Sequence, residues 1–213
     1  MANELNGYYL QAMGITQYLL REPVPASKEQ QFSLLAEQAR ACQNCPLHQT
    51  RKQVVFSRGN FNANLMVIGE APGFYEDQQG LPFVGKAGQL LNCMLASIGL
   101  DEDAVYITNV LKCRPPENRD PEAFEIQQCS HFLTEQIACK APRLILALGR
   151  FAGQFLCENT TPLAQLRNRI HRYQDTPVIV SYHPAYLLRN PKDKKKAFTD
   201  LRRVKDFLEA DGG

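Results

Sequence analysis

The apolar positions of this chain fall into short unbroken runs separated by helical patterns. Leu65–Ile68, Val105–Val110, Leu144–Leu148 and Val178–Ser181 are apolar almost throughout. Runs without polar alternation read as strands buried on both faces. Residues near 86–98, 121–139, 150–157 and 192–209 read as helices between and after them. In the last of these, Phe198, Leu201, Val204, Phe207 and Leu208 form an apolar stripe at helical spacing. The alternation predicts an α/β fold, an open parallel sheet covered on both faces. Upstream, Leu5, Tyr8, Tyr9, Ala12 and Leu19 predict a helix over 4–21. Glu22-Pro-Val-Pro-Ala breaks that pattern as a linker, and Ser27 is placed to cap a helix over 28–41. The chain thus divides into an N-terminal helical extension and linker, 1–27, and a main domain, 28–213.

In sheets of this kind ligands bind at the carboxyl ends of the strands. Each predicted strand ends on something chemical: Gly69-Glu70-Ala71-Pro72-Gly73, then Thr108-Asn109, then Gly149-Arg150, then Tyr182-His183-Pro184. A carboxylate, an amide and an imidazole are therefore expected to share one crevice. Asparagine at a strand end is usually a turn residue. Beside a cleft its amide accepts and donates at once, which suits the adjacent carbonyl and N–H of a pyrimidine edge. Pro184 stiffens the loop behind His183 and holds the ring in place.

Composition adds little beyond a globular balance: 213 residues, 44% apolar, 22% charged, net charge +2. No run is long enough to cross a bilayer. The N-terminus lacks the basic-then-apolar layout of a secretory signal, so a cytoplasmic protein with reduced thiols is expected. Lys192, Lys194, Lys195, Lys196, Arg202, Arg203 and Lys205 make a basic stretch. By default it is a solvated face, but it follows His183 and Arg189 closely enough to meet a phosphate backbone.

Seven cysteines in a reducing compartment point to metal or catalysis rather than disulfides. Cys42 and Cys45 form a close pair in CQNCPL, whereas Cys113 and Cys129 stand far apart around CRPPENRDP. Structural zinc favours two close pairs. Iron–sulfur clusters accept long, irregular separations. The spacing leans to a cluster and leaves zinc open. Cys93, Cys139 and Cys157 read as small core residues. The segment Gly80-Leu-Pro-Phe-Val-Gly-Lys-Ala87 nearly matches a P-loop. It fails as one, because Ala87 replaces the magnesium-binding hydroxyl and Pro82 lacks an N–H. Phe83 within it reads instead as an aromatic platform beside the crevice.

Together CQNCPL, GEAPG followed by GLPFVGKAGQLL, YITNVLKCRPPENRDP and YHPAYLLRNP resemble the family 4 uracil-DNA glycosylases, iron–sulfur enzymes of base-excision repair. The resemblance covers residues 38–192. It implies three layers, α/β/α, around a four-stranded parallel sheet, and a structural [4Fe–4S] cluster on Cys42, Cys45, Cys113 and Cys129. It implies a catalytic role for His183, at the uracil oxygen where charge collects. The best-known uracil glycosylases carry aspartate where this chain has Ala71, so Glu70, with Asn118, is the candidate expected to serve the water or the sugar cation instead. Gly69, Ala71, Gly73, Phe83, Asn109 and Asn118 would surround the base, Phe83 stacking on it and Asn109 reading its edge. Arg114, Leu187, Leu188 and Arg189 would meet the DNA. The implied partner is uracil-containing DNA, single- or double-stranded, bound by a monomer, with no membrane. A related group captures uracil-DNA covalently, but its motifs carry Gln at Ala71 and His at Cys113, so that chemistry is not expected. A non-catalytic DNA-binding module would need the basic face but not Glu70, Asn109 and His183 together.

Overall fold

The computed structural model describes residues 9–10, 12–14 and 27–210. The helix expected over 4–21 and its linker lie almost wholly outside the described residues. The first described helix, α1 (Lys28–Ala41), starts where the sequence places it. The Ser27 hydroxyl accepts the Gln30 N–H while the Gln30 side chain accepts the Ser27 N–H, so two of the orphan donors at the helix start are satisfied.

The strands are β1 (Arg58–Gly59), β2 (Leu65–Gly69), β3 (Val105–Asn109), β4 (Leu144–Leu148), β5 (His171–Tyr173) and β6 (Thr176–Ser181). Their order across the sheet is β1-β3-β2-β4-β6-β5. The inner strands β3, β2, β4 and β6 run parallel, as the unbroken apolar runs predict, and β2, β3 and β4 are buried at every position. The sheet is nevertheless mixed and six-stranded, not a four-stranded parallel one: β1 and β5 are antiparallel edges. At two and three residues, each too short to show periodicity, they leave no signature in the sequence.

The remaining helices are α2 (Phe74–Gln79), α3 (Lys86–Ala96), α4 (Ala123–Lys140), α5 (Gly149–Leu156), α6 (Leu163–Leu166), α7 (Pro184–Arg189) and α8 (Lys194–Ala210). Leu91 and Met94 of α3, Leu187 of α7, and Leu201 and Val204 of α8 pack with Leu65 and Val67 on one face of the sheet. Leu133 and Ile137 of α4 and Ala152 and Leu156 of α5 pack with Met66 and Ile68 on the other. Successive residues of β2 thus feed opposite layers, as strand geometry requires. Three layers result.

One buried polar cluster fastens α8 to the sheet. Asp200, 3% exposed, takes a two-pronged ion pair from Arg167 at 2.7 and 3.0 Å and a 2.7 Å bond from the Ser181 hydroxyl. Arg167 also lies over the Tyr182 ring at 4.2 Å, and Tyr182 stacks on Tyr186 of α7. The cluster therefore sits directly behind His183. Removing one partner strands a buried charge. Asp200→Ala is accordingly expected to cost about 3–5 kcal/mol of stability. Chemical denaturation at pH 7 measures this, and an unmoved midpoint would show that α8 is held by its apolar stripe alone.

Candidate functional site

The carboxyl ends of β2, β3, β4 and β6 open into one crevice, at the point where β2 has β3 on one side and β4 on the other. Its volume of about 510 Å³ falls within the ~300–1,000 Å³ usual for small-molecule sites. Glu70, Ala71, Gly73, Phe83, Asn109, Asn118, His183 and Arg189 all line it, so the sequence brings these together as expected.

Gly69 stands behind the lining, and its lack of a side chain is what lets the wall form. A Cβ there would lie 2.4 Å from Asn109 Oδ1 and 2.5 Å from Phe83 Cζ. Asn109 is 2% exposed, and its Oδ1 has no hydrogen-bond partner among the described residues. A buried, unpaired amide oxygen costs about 1–3 kcal/mol unless something else supplies the donor.

Phe83 is buried, with its ring 5.6 Å from that of His183, and its backbone sits at φ 57°. That conformation is strained for a bulky residue and must be held by neighbours. The Glu76 carboxylate accepts the N–H groups of Val84 and Gly85, both at 2.9 Å, and Arg58 of β1 donates to the Pro82 carbonyl at 2.8 Å. Both clamps lie in short elements that sequence patterning misses.

His183 caps α7: its Nδ1 accepts the Ala185 N–H at 3.2 Å. That bond places the ring hydrogen on Nε2. Burial, and then the charge of Arg189, lower its pKa to about 4, so the ring is a neutral donor. Gly149, at φ 90°, lets the β4 turn pass: a Cβ there would come within 3.0 Å of the His183 Cβ.

Glu70 is half-buried, and its backbone carbonyl accepts the Leu111 N–H. Burial, then the charge of Asp120, push its carboxyl up to about 7 against the pull of Arg150. Asp120 and Arg150 line the crevice and pair with each other at 3.2 Å. Arg150 stands at a predicted strand end, but Asp120 carries no mark in the sequence, since acidic loop residues are ordinarily solvated.

The expected DNA contacts divide. Arg189 lines the crevice, whereas Arg114 lies outside the lining with its guanidinium over Phe74. Leu188 is 44% exposed, but Leu187 is 1% exposed and packs in the core, so of the pair only Leu188 faces outward. Successive residues of a helix point about 100° apart, and here the core takes Leu187 and leaves Leu188 outside. The basic stretch is partly spent internally: Lys196 pairs with Asp193, and Arg203 donates to the Arg167 carbonyl.

Below the crevice, Cys42, Cys45, Cys113 and Cys129 ring one small cavity walled by Ala39, Leu47, Leu111 and Phe132. Among the described residues, no three His, Cys, Asp or Glu side chains are gathered about a point that a single ion would occupy. Four thiols around one cavity are the donor set that a group larger than a single ion would need. Donors already aim at two sulfurs: Arg51 Nη1 at Cys113 Sγ, 3.1 Å, and the Lys112 N–H at Cys129 Sγ, 3.4 Å. Hydrogen bonds of this kind steady thiolate ligands. Burial pushes the thiol of Cys45 up, that of Cys113 up, and that of Cys129 up to about 11, so a bound cation has to displace their protons. Of the other cysteines expected in the core, Cys93 is exposed and Cys139 is half-buried, while Cys157, also half-buried, packs against the core.

Lys112 joins the two sites. It is 1% exposed, and its ammonium donates to Thr108 Oγ1, the Asn109 carbonyl and Gln136 Oε1 at 2.6–2.8 Å. The residue beside a cysteine of the cavity thus fixes the backbone of the asparagine in the crevice.

Comparison with known proteins gives the chain a family. The family model of the uracil DNA glycosylase superfamily matches residues 56–203. A type-4 uracil-DNA glycosylase of Archaeoglobus fulgidus is 41% identical over 77% of this chain and 86% of its own length. One from Saccharolobus solfataricus is 41% identical over 84% and 87%, and one from Thermotoga maritima 38% over 87% and 99%. The chain belongs to the uracil DNA glycosylase superfamily, in its type-4 branch.

Proposed function

We propose that this chain excises uracil from DNA, hydrolysing the N-glycosidic bond and leaving an abasic site for base-excision repair. The observation that carries the reading is the buried, unpartnered Oδ1 of Asn109, in a crevice that Phe83 and His183 also line. A uracil turned out of the helix supplies the missing N–H, and the same amide donates to its neighbouring carbonyl. Phe83 covers the base face. Gly69, Ala71 and Gly73 leave room for it, and Asn118 closes the far wall.

The bond from the sugar carbon to the base breaks with its electron pair going to the uracil. The neutral His183 donates its Nε2–H to the oxygen on which that charge collects. Glu70, as the carboxylate, faces the sugar cation and takes the proton of the water that adds there. Arg189 and Leu188 meet the DNA at the mouth, and Arg114 meets it beyond the rim.

Cys42, Cys45, Cys113 and Cys129 would hold a [4Fe–4S] cluster. When bound, it supplies a fixed crosslink between the N-terminal turn and the loop after β3. Lys112 then keeps Asn109 in register with that brace. We further propose that the protein acts as a monomer in the cytoplasm on single- or double-stranded uracil-DNA.

An oligonucleotide with one uracil tests the reading. Alkali should break the strand at the uracil only after exposure to the protein, and protein purified without oxygen should be brown with broad visible absorbance. An intact strand would overturn the catalytic reading in favour of a DNA-binding module. A colourless, active protein would overturn the cluster.

A further inference from the structure

Gly73 and Glu76 line the crevice, and the two residues between them turn their rings to solvent instead. Phe74 is 49% exposed and Tyr75 58%. Scattered exposed apolar residues are ordinary, but these two belong to one continuous surface. Their rings meet edge-on with centroids 5.4 Å apart. The Arg114 guanidinium stands 5.1 Å from the centre of the Phe74 ring, and its Nε donates to Asn118 Oδ1 at 2.8 Å. Asn118 and Gly73 both line the crevice. The strip therefore joins the crevice at two points.

The charge of the strip is one-sided. The acidic residues of α2 are committed elsewhere: Glu76 holds the Val84 and Gly85 N–H groups, and Asp77, 3% exposed, accepts from the Lys52 N–H. Besides the neutral Gln78 and Gln79 and part of the clamped Glu76, what α2 and Arg114 offer to solvent is two aromatic rings and a cation. An apolar protein face would leave that cation unpaired. A polyanion with planar bases satisfies all three groups at once.

We propose that Phe74, Tyr75 and Arg114 form a stacking platform for the nucleotide next to the extruded uracil on the same strand. The inference rests on the uracil-DNA reading of the crevice. Extrusion strips the neighbouring base of one stacking partner, and a ring beside the crevice mouth replaces it. The arginine meets the phosphate between the two nucleotides. Because stacking is indifferent to base identity, the platform tolerates any neighbour.

The test uses the full chain and single-stranded oligonucleotides carrying an uncleavable uracil analogue, with 2-aminopurine on its 5′ or its 3′ side. In the wild type, fluorescence on one side should be quenched on binding. Phe74→Ala combined with Tyr75→Ala should abolish that quench and weaken the dissociation constant by about tenfold per ring removed. Trimming the oligonucleotide back to the uracil nucleotide should erase the difference between the two proteins. Both rings are exposed, so circular dichroism and the melting temperature should match wild type. Equal affinity of wild type and double variant, or no quench on either side, overturns the platform and leaves the strip to a protein partner. Failure of the wild type to excise uracil at all would instead overturn the reading of the crevice.

Discussion

Replacing His183 with alanine should slow single-turnover uracil excision by about 100- to 1,000-fold, the usual cost of removing one donor aimed at a developing anion. Two features make the ring a donor and not a base. The Ala185 N–H occupies Nδ1, which leaves the hydrogen on Nε2. The pKa, lowered to about 4 by burial and by Arg189, keeps the ring neutral through the working range. A neutral imidazole adds no positive charge to the empty site, yet strengthens its bond as charge gathers on the uracil. The substitution also removes the cap of α7, a loss of about 1 kcal/mol, so a second variant separates the two effects. His183→Asn keeps a capping acceptor, but its amide N–H is too short to reach the place of Nε2, and the variant should be nearly as slow as alanine at close to wild-type stability. A rate within a few fold of wild type for both would end the donor role. The wild-type profile supplies a further check. If an imidazolium were the donor, activity would fall as pH rises through about 6.5, the ordinary histidine value; the neutral ring predicts no such fall.

How much of this was written in the sequence depends on whether a residue acts through a pattern or through a neighbour. The inner strands were legible because burial on both faces leaves unbroken apolar runs, and the crevice followed because their carboxyl ends carry Glu70, Asn109 and His183. The edges β1 and β5 were not legible, yet β1 brings Arg58 to the loop that holds Phe83. Helix α2 is invisible for a different reason: its large side chains, Phe74 and Tyr75, face water, so no apolar stripe marks it. Leu187 and Leu188 look equivalent in YLLRNP, and only the direction of α7 against the core tells them apart. Lys112 is the sharpest case. Beside Cys113, in a proline-rich segment, it reads as solvated. In the fold it is a buried cation with three oxygen acceptors contributed by β3 and α4. Nothing local to the sequence encodes that, because its acceptors gather only when β3 and α4 pack together.

Glu70→Gln should produce the larger loss, about 100- to 10,000-fold in the single-turnover rate at pH 8 on uracil-containing single-stranded DNA, the range associated with a positioned acid or base. The carboxylate is the form that can face a sugar cation and accept a proton from water. Burial, then Asp120, raise its pKa to about 7, so below that value most molecules carry the inactive acid. The wild-type rate should therefore climb about tenfold per pH unit up to about 7 and level off above it. Asp120→Asn removes a repelling charge and should move the climb to lower pH; loss of the Arg150 charge should move it higher. Stability gives an independent reading. The folded-state pKa lies above the ordinary 4.5, so the folded protein prefers the protonated group, and wild type loses stability as pH rises through the window from about 4.5 to about 7. The glutamine variant has no charge to bury and escapes that loss, so its melting temperature should exceed that of wild type at pH 8 and match it near pH 4. A variant that is slower and more stable at pH 8 would mark Glu70 as a residue held at a cost to the fold for the sake of the reaction. If Glu70→Gln kept most of the wild-type rate, the water would have to be activated elsewhere, and Asp120, the other carboxylate on the crevice wall that presses on Glu70, would be the residue to substitute next.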